Sequence, residues 1–279
     1  MGWKQKTLKE TVCFEGATLF SAEHVQVRLS PREPHSGILF KRSDQPLSSA
    51  IPATTEYLSP GCRCTKIAKE GSSVQLIEHF MAALRFAEID NLMIEVSGPE
   101  MPIFDGSALP FLEILDKGGI VEQPADKEVF YLDNPVYWSN GEFSLIALPS
   151  NEYRISYTLH YPSSPYLRSQ YCHVGSEQFR QEIAFCRTFI LYQELLPLIE
   201  AGILQQTDLS HGVVIDGDRV LNPEGTRCTD EMARHKILDM IGDFSLVGVP
   251  FHAHLIAIKT GHEANHAVAK KLRLFLKKQ

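Results

Sequence analysis

The sequence predicts an α+β fold in which two similar layered domains each pack helices on a sheet. Three observations lead there. The chain has 279 residues, enough for two modest domains. Each half mixes strand-like and helix-like segments without a regular β-α-β alternation. Between the halves lies "VEQPADKE" (121–128), a polar stretch that reads as a linker. The expected domains are therefore 1–122 and 127–279.

In the first half, "TVCFEGATLF" (11–20) and "HVQVRLS" (24–30) alternate and are rich in β-formers, so they read as strands. "LIEHFMAALRFAEI" (76–89) has helical spacing. "NLMIEVSGP" (91–99) is a strand closed by Gly98-Pro99, and "ALPFLEILDKGG" (108–119) is a helix stopped by glycines. In the second half, "EFSLIALP" (142–149) and "EYRISYTLHY" (152–161) are strands, with helices expected near 176–185 and over 191–203. Strand-like "GVVIDGDRV" (212–220) follows. A helix from about Thr229 to Phe244, the strand "HAHLIAIKTG" (252–261) and a terminal helix complete the order.

Hydrophobic residues make up 44% and charged residues 22%, which suits a chain with a real core rather than a disordered one. A net charge of −7 argues against a nucleic-acid partner, which would want a basic stripe. Basic residues gather in "KKLRLFLKKQ" (270–279), but Leu272, Leu274, Phe275 and Leu276 between them fit a helix with one buried face. Six cysteines lie scattered, with only a C-x-C at Cys62 and Cys64. Neither a disulfide framework nor a zinc knot is expected, and the thiols read as reduced in a cytoplasmic protein. "MGWKQKTLKE" has no apolar h-region, and no apolar run approaches the length of a membrane span. The expected assembly is a monomer.

Two patterns compete for a metal. "GHEANHAVAKKL" (261–272) contains His262-Glu263-x-x-His266, the H-E-x-x-H of zinc peptidases. Such enzymes usually take a third ligand from downstream. Here the thirteen residues after His266, "AVAKKLRLFLKKQ", hold no His, Asp, Glu or Cys. The other pattern is "DEMARHKILDMIGDF" (230–244). At about 100° per residue, His235 and Asp239 fall about 40° apart on one helix face, with Asp243 about 40° further round and Lys236 at the edge. Ile237, Met240, Ile241 and Phe244 occupy the opposite side. By itself this row reads equally as a solvated polar face or as a nitrogen and an oxygen for one metal ion.

"LIEHFMAAL" (76–84) tips the balance. There Glu78-His79 interrupts an apolar run, and an acid and an imidazole among side chains that want burial must be paired, solvated in a cleft or bound. His79, His235 and Asp239 then make three metal ligands, with Glu78 beside them as base. Three protein ligands leave the fourth position to water, the arrangement of hydrolytic rather than structural zinc. The same set also suits Fe2+.

These residues carry a resemblance. "EHFMAAL" (78–84), "IDNLMIEVSGPEMPIFDGSALPF" (89–111), "CRTF" (186–189), "RHKILDMIGD" (234–243) and "GHEAN" (261–265) together resemble the bacterial UDP-3-O-acyl-N-acetylglucosamine deacetylases, zinc enzymes of lipid A synthesis. Similarity runs from about Thr7 to Leu272. The resemblance implies β-α-α-β sandwich domains, zinc on His79, His235 and Asp239, and Glu78 as general base. It implies that His262 faces the base and is hydrogen-bonded to Asp243, with Thr188 near the oxyanion and Lys236 on the substrate's phosphates. The implied substrate is an acylated UDP-sugar. An insertion over about 189–214, with Phe189, Leu198 and Ile203 among its residues, would guide the acyl chain. Glu263 and His266 fall on variable positions of the family's Gly-His-x-x-Asn, so the H-E-x-x-H reads as coincidence. Phe20, Gln75-Leu76-Ile77 and Ile190 depart from the family pattern at positions of substrate fit. The rival readings are a zinc metallopeptidase on His262 and His266, and a non-catalytic protein that binds zinc or a UDP-sugar.

Overall fold

The computed structural model describes residues 3–175, 178–204 and 208–278, and its architecture is α+β. Strand His24–Pro31 turns Val25, Val27 and Leu29 inward, because strand side chains alternate faces. It pairs antiparallel with Val12–Ala17 and with Leu92–Val96, and the latter runs parallel to Ile38–Arg42. Ile51–Pro52 completes this five-stranded sheet. Helices α1 (Glu78–Phe86) and α2 (Leu109–Gly118) pack together beside it. Phe80 of α1 meets Phe40 of the sheet edge-on at 6.5 Å and Phe111 of α2 at 5.3 Å.

A seven-stranded sheet forms from the second half. Phe251–Ile258 lies inside it, antiparallel to Ser144–Leu148 and parallel to Tyr153–His160 and Phe130–Leu132. Ahead of this strand in the chain come α3 (Phe179–Glu182) and α4 (Tyr192–Glu200). Helix α4 is the crossover between Phe189–Leu191 and Val213–Asp216, which pair in parallel as such a crossover permits. Helices α5 (Glu231–Ser245) and α6 (His262–Phe275) pack on the larger sheet. Helix α5 also lies flat against α1, so the layers run sheet, helix, helix, sheet. Gly242 makes that approach possible, since a Cβ there would stand 2.0 Å from the Glu78 carbonyl oxygen.

Several expectations change. The stretch read as a linker is a strand: Ile120–Asp126 pairs antiparallel with Lys4–Leu8. It is held by hydrogen bonds rather than apolar burial, with Gln123 donating to Arg32 O and accepting from Asn91. A hydrophobic pattern cannot reveal such a strand. The helix expected near 176–185 shrinks to the single turn of α3, and Ser176 and Glu177 lie outside the described residues. The basic tail does not stay helical. After Phe275, Leu276–Lys278 joins the sheet antiparallel to Phe130–Leu132. Residues 205–207 of the expected insertion and Gln279 also lie outside the described residues. Cys13, Cys62, Cys64, Cys186 and Cys228 are free thiols. Among the described residues no helix is long and apolar enough to cross a membrane.

Candidate metal centre and active site

The site forms where α1 meets α5. Leu76 has φ 58°, a left-handed conformation that bulky residues rarely adopt, and it occupies the bend between strand Ser72–Gln75 and α1. Helix α1 therefore begins at Glu78, and the Glu-His pair occupies its first turn, facing α5. On α5, His235, Asp239 and Asp243 stand one turn apart on a single face, as helical geometry dictates. That face is not solvated. His235 is 1% exposed, Asp239 4% and Asp243 0%, while Ile237, Met240, Ile241 and Phe244 on the other side are buried as well.

His79, His235 and Asp239 converge, with one donor atom from each all within 4.8 Å of one another. Asp239 Oδ1 is 3.2 Å from His235 Nε2 and 3.5 Å from His79 Nε2. The two rings meet edge to face at 5.0 Å. His235 Nδ1 lies 3.0 Å from the Cys186 carbonyl, an acceptor, so Nδ1 carries the hydrogen and Nε2 keeps a lone pair. That Nε2 is buried and makes no hydrogen bond. A lone pair so close to a carboxylate oxygen calls for a cation between them, and the donor set fits a divalent metal. Burial pushes the His79 imidazole towards its neutral, ligating form. Burial alone would raise the Asp239 carboxyl, but the Lys236 ammonium beside it holds it well below the carboxylate range.

Beside this cluster lies a second. Glu78 is 2% exposed, and its Oε2 accepts from the Thr65 backbone N–H at 3.0 Å. Its Oε1 is 3.7 Å from His262 Nε2. Burial raises its pKa to about 8, with His262 pulling down and Asp243 and Asp239 pushing up. His262 opens α6, with Nδ1 2.8 Å from Asp243 Oδ2. Burial would depress that imidazole, but Asp243 and then Glu78 lift it to about 9. The full carboxylate charge thus outweighs both burial and the helix N-terminus, which disfavours a cation. Asn265 Nδ2 donates to Asp243 Oδ2 at 2.8 Å, and Thr65 Oγ1 and His266 Nε2 reach Oδ1.

The sequence model of the UDP-3-O-acyl N-acetylglycosamine deacetylase (LpxC) family matches residues 5–273. The chain belongs to this family. It is 41% identical over 271 residues to the UDP-3-O-acyl-N-acetylglucosamine deacetylase of Chlamydia pneumoniae, with 96% of each chain covered. Identity to the protein of that name from Chlamydia caviae is 41% over 270 residues, again with 96% of each covered. For Chlamydia trachomatis serovar L2 it is 39% over 277 residues, with 98% of this chain and 96% of the relative covered. Membership makes the chain a deacetylase rather than a peptidase.

Both clusters of this family member open on one cavity of about 1250 Å³. Glu78, His79, Asp239, His262 and Thr188 lie on its wall. Thr188 is fixed by its main chain, its N–H donating to Gly106 O and its carbonyl accepting from Val213 N–H. Phe189 also faces the cavity, with its ring 6.4 Å from the His235 ring and under the Lys236 ammonium at 5.5 Å. Lys236 also lines the cavity, and its Nζ donates to Asp239 Oδ2 at 2.8 Å. Leu191, Leu195, Leu198, Ile199 and Leu204 line the apolar part. Ile203 is not on this wall, and Leu204 takes that place. Of the departures from the family pattern, Phe20, Leu76 and Ile190 line it, while Gln75 and Ile77 do not. Sequence reasoning missed Thr65, whose backbone holds Glu78 and whose hydroxyl holds Asp243. It sits in a loop with no periodicity to mark it. Asn265 was visible in "GHEAN", but its contact with Asp243 was not.

Proposed function

We propose that the protein hydrolyses the N-acetyl group of UDP-3-O-(3-hydroxyacyl)-N-acetylglucosamine, releasing acetate, in the committed step of lipid A biosynthesis. The observation that carries the mechanism is the pairing of two polar clusters in one cavity, one suited to a cation and one to proton transfer. His79, His235 and Asp239 would hold a divalent ion, zinc in preference and Fe2+ as the alternative. Such an ion polarises a carbonyl and lowers the pKa of water from ~16 towards ~7.

Glu78 takes a proton from the water that attacks the acetyl carbon. The charge developing on the carbonyl oxygen is met by the Thr188 hydroxyl, a donor on the cavity wall. His262, kept cationic by Asp243, faces Glu78 across 3.7 Å and gives its Nε2 proton to the nitrogen as the C–N bond breaks. Lys236 as the phosphate contact requires its ammonium to leave Asp239. Phe189 and Leu198 face the acyl chain, with Leu204 in the role expected of Ile203. In this reading residues 1–122 and 127–279 act as two domains of a cytoplasmic monomer, the first supplying Glu78 and His79.

The test is bound-zinc stoichiometry in the unaltered, His235→Ala and His266→Ala proteins. Loss with His235→Ala alone supports the ligand set. Loss that follows His266 instead moves the metal to the second cluster and overturns it.

A further inference from the structure

His266 has no part in the chemistry above, yet it is built into the site. Asp243 is fully buried and accepts hydrogen bonds from three donors. His262 Nδ1 and Asn265 Nδ2 each stand 2.8 Å from Oδ2. The Thr65 hydroxyl donates to Oδ1, and His266 Nε2 stands 3.4 Å from that oxygen without a hydrogen bond to it. His266 Nε2 is also 3.0 Å from Thr65 Oγ1. A carboxylate only accepts, and a hydroxyl has a single proton. Thr65 gives that proton to Asp243, so only its lone pairs remain for His266. The hydrogen of His266 must then sit on Nε2, where it is donated to Thr65 Oγ1.

We propose that His266 is a positioning residue for the deacetylation. Its Nε2–H holds the Thr65 hydroxyl, which in turn fixes Asp243 Oδ1 and so keeps Oδ2 aimed at His262 Nδ1. The proposal rests on the reading of His262 as the acid that protonates the leaving amine. A carboxylate turns about a broad terminal torsion, so a partner on one oxygen alone does not fix it. His262 needs a fixed partner because it stands at the first residue of α6, where the helix dipole opposes its charge. His266 lies one turn along the same helix, with its ring centroid 6.0 Å from that of His262. The charged groups facing His262 are Asp243 and Asp239 from α5 and Glu78 from α1. Those facing His266 are Asp243 and the Thr65 dipole, while Lys259, Glu263 and Lys270 border the same cavity.

The test compares His266→Leu with His266→Gln, whose amide N–H reaches about as far as Nε2 but carries no charge. Steady-state kinetics on UDP-3-O-acyl-N-acetylglucosamine, pH profiles and bound zinc are measured for both. The Leu protein is expected to lose about tenfold in kcat with KM unchanged, and its basic limb to fall by about half a pH unit or more. The Gln protein should keep kcat, basic limb and zinc. A Leu protein equal to the unaltered one overturns the proposal, as does a Gln protein as impaired as Leu. Zinc lost from the Leu protein overturns it by making His266 a ligand. Failure of the underlying reading shows separately, as a His262→Ala protein with undiminished kcat.

Discussion

Replacing Gly242 with alanine adds one methyl group at the point where α5 crosses the start of α1. The ideal Cβ would lie 2.0 Å from the Glu78 carbonyl oxygen, 2.7 Å from its carbon and 2.9 Å from Glu78 Cα. All three are backbone atoms, so no side chain can swing aside. Restoring van der Waals contact of ~3.5 Å requires the helices to part by about 1 Å or more. His79 moves with α1, while His235 and Asp239 move with α5. Metal–ligand distances tolerate only about 0.2 Å, so the three-ligand set opens to the two donors on α5. Overpacking costs roughly 1–3 kcal/mol, offset by about 1 kcal/mol of helix propensity gained from alanine. The metal-free protein should therefore melt a few degrees lower, on the order of 2–8 °C. Zinc affinity should fall at least tenfold, of the order seen when metal ligands lose their supports. Differential scanning calorimetry and chelator competition read the two effects. A Gly242→Ala protein with an unchanged melting temperature and an unchanged zinc affinity would refute the reasoning.

Four further outcomes are expected. Glu78→Gln should keep zinc and lose about two orders of magnitude or more in kcat, the scale of general base catalysis; near-normal turnover would sink the base assignment. Asp243→Asn removes the charge that lifts His262 to about 9, so the basic limb of kcat/KM should move down towards the ordinary imidazole value of 6.5. The same raised pKa makes a stability prediction for the metal-free protein: the His262–Asp243 contribution is complete below 6.5 and lost as pH rises through about 9. Glu78, raised from 4.5 to about 8, acts in the same direction, and calorimetry across this range should show a falling melting temperature that Asp243→Asn flattens. Finally, Leu198→Ala should change the preference between long and short acyl substrates more than Ile203→Ala does, since only Leu198 faces the cavity.

Much of the frame was legible because burial imposes a period. Val25, Val27 and Leu29 alternate inward, and that alternation marks their strand without any knowledge of its partners. The row His235, Asp239, Asp243 could be placed on one helix face for the same reason. Its burial could not, because whether a polar face meets water depends on α1, a helix distant in sequence. The strand Ile120–Asp126 escaped notice because hydrogen bonds from Gln123 hold it where apolar side chains would have left a pattern. Thr65 illustrates the limit most sharply. Its value lies in where a loop passes between two carboxylates, and no local property of "GCRCT" encodes that.

The split of the three proposed ligands between α1 and α5 has a consequence for how the protein comes into being. Neither helix offers a complete cage, and Glu78-His79 leaves the ribosome long before His235 and Asp239 are made. Chains are synthesised from the N-terminus, so the emerging first half meets the cell's metal ions with His79 as its one member of the proposed set, too few of those donors to retain one. Only when the two sheets have closed over the paired helices do all three donors face each other. On the proposed ligand set, loading with metal would report that assembly is finished, and a chain arrested midway would stay unmetallated and hydrolytically silent.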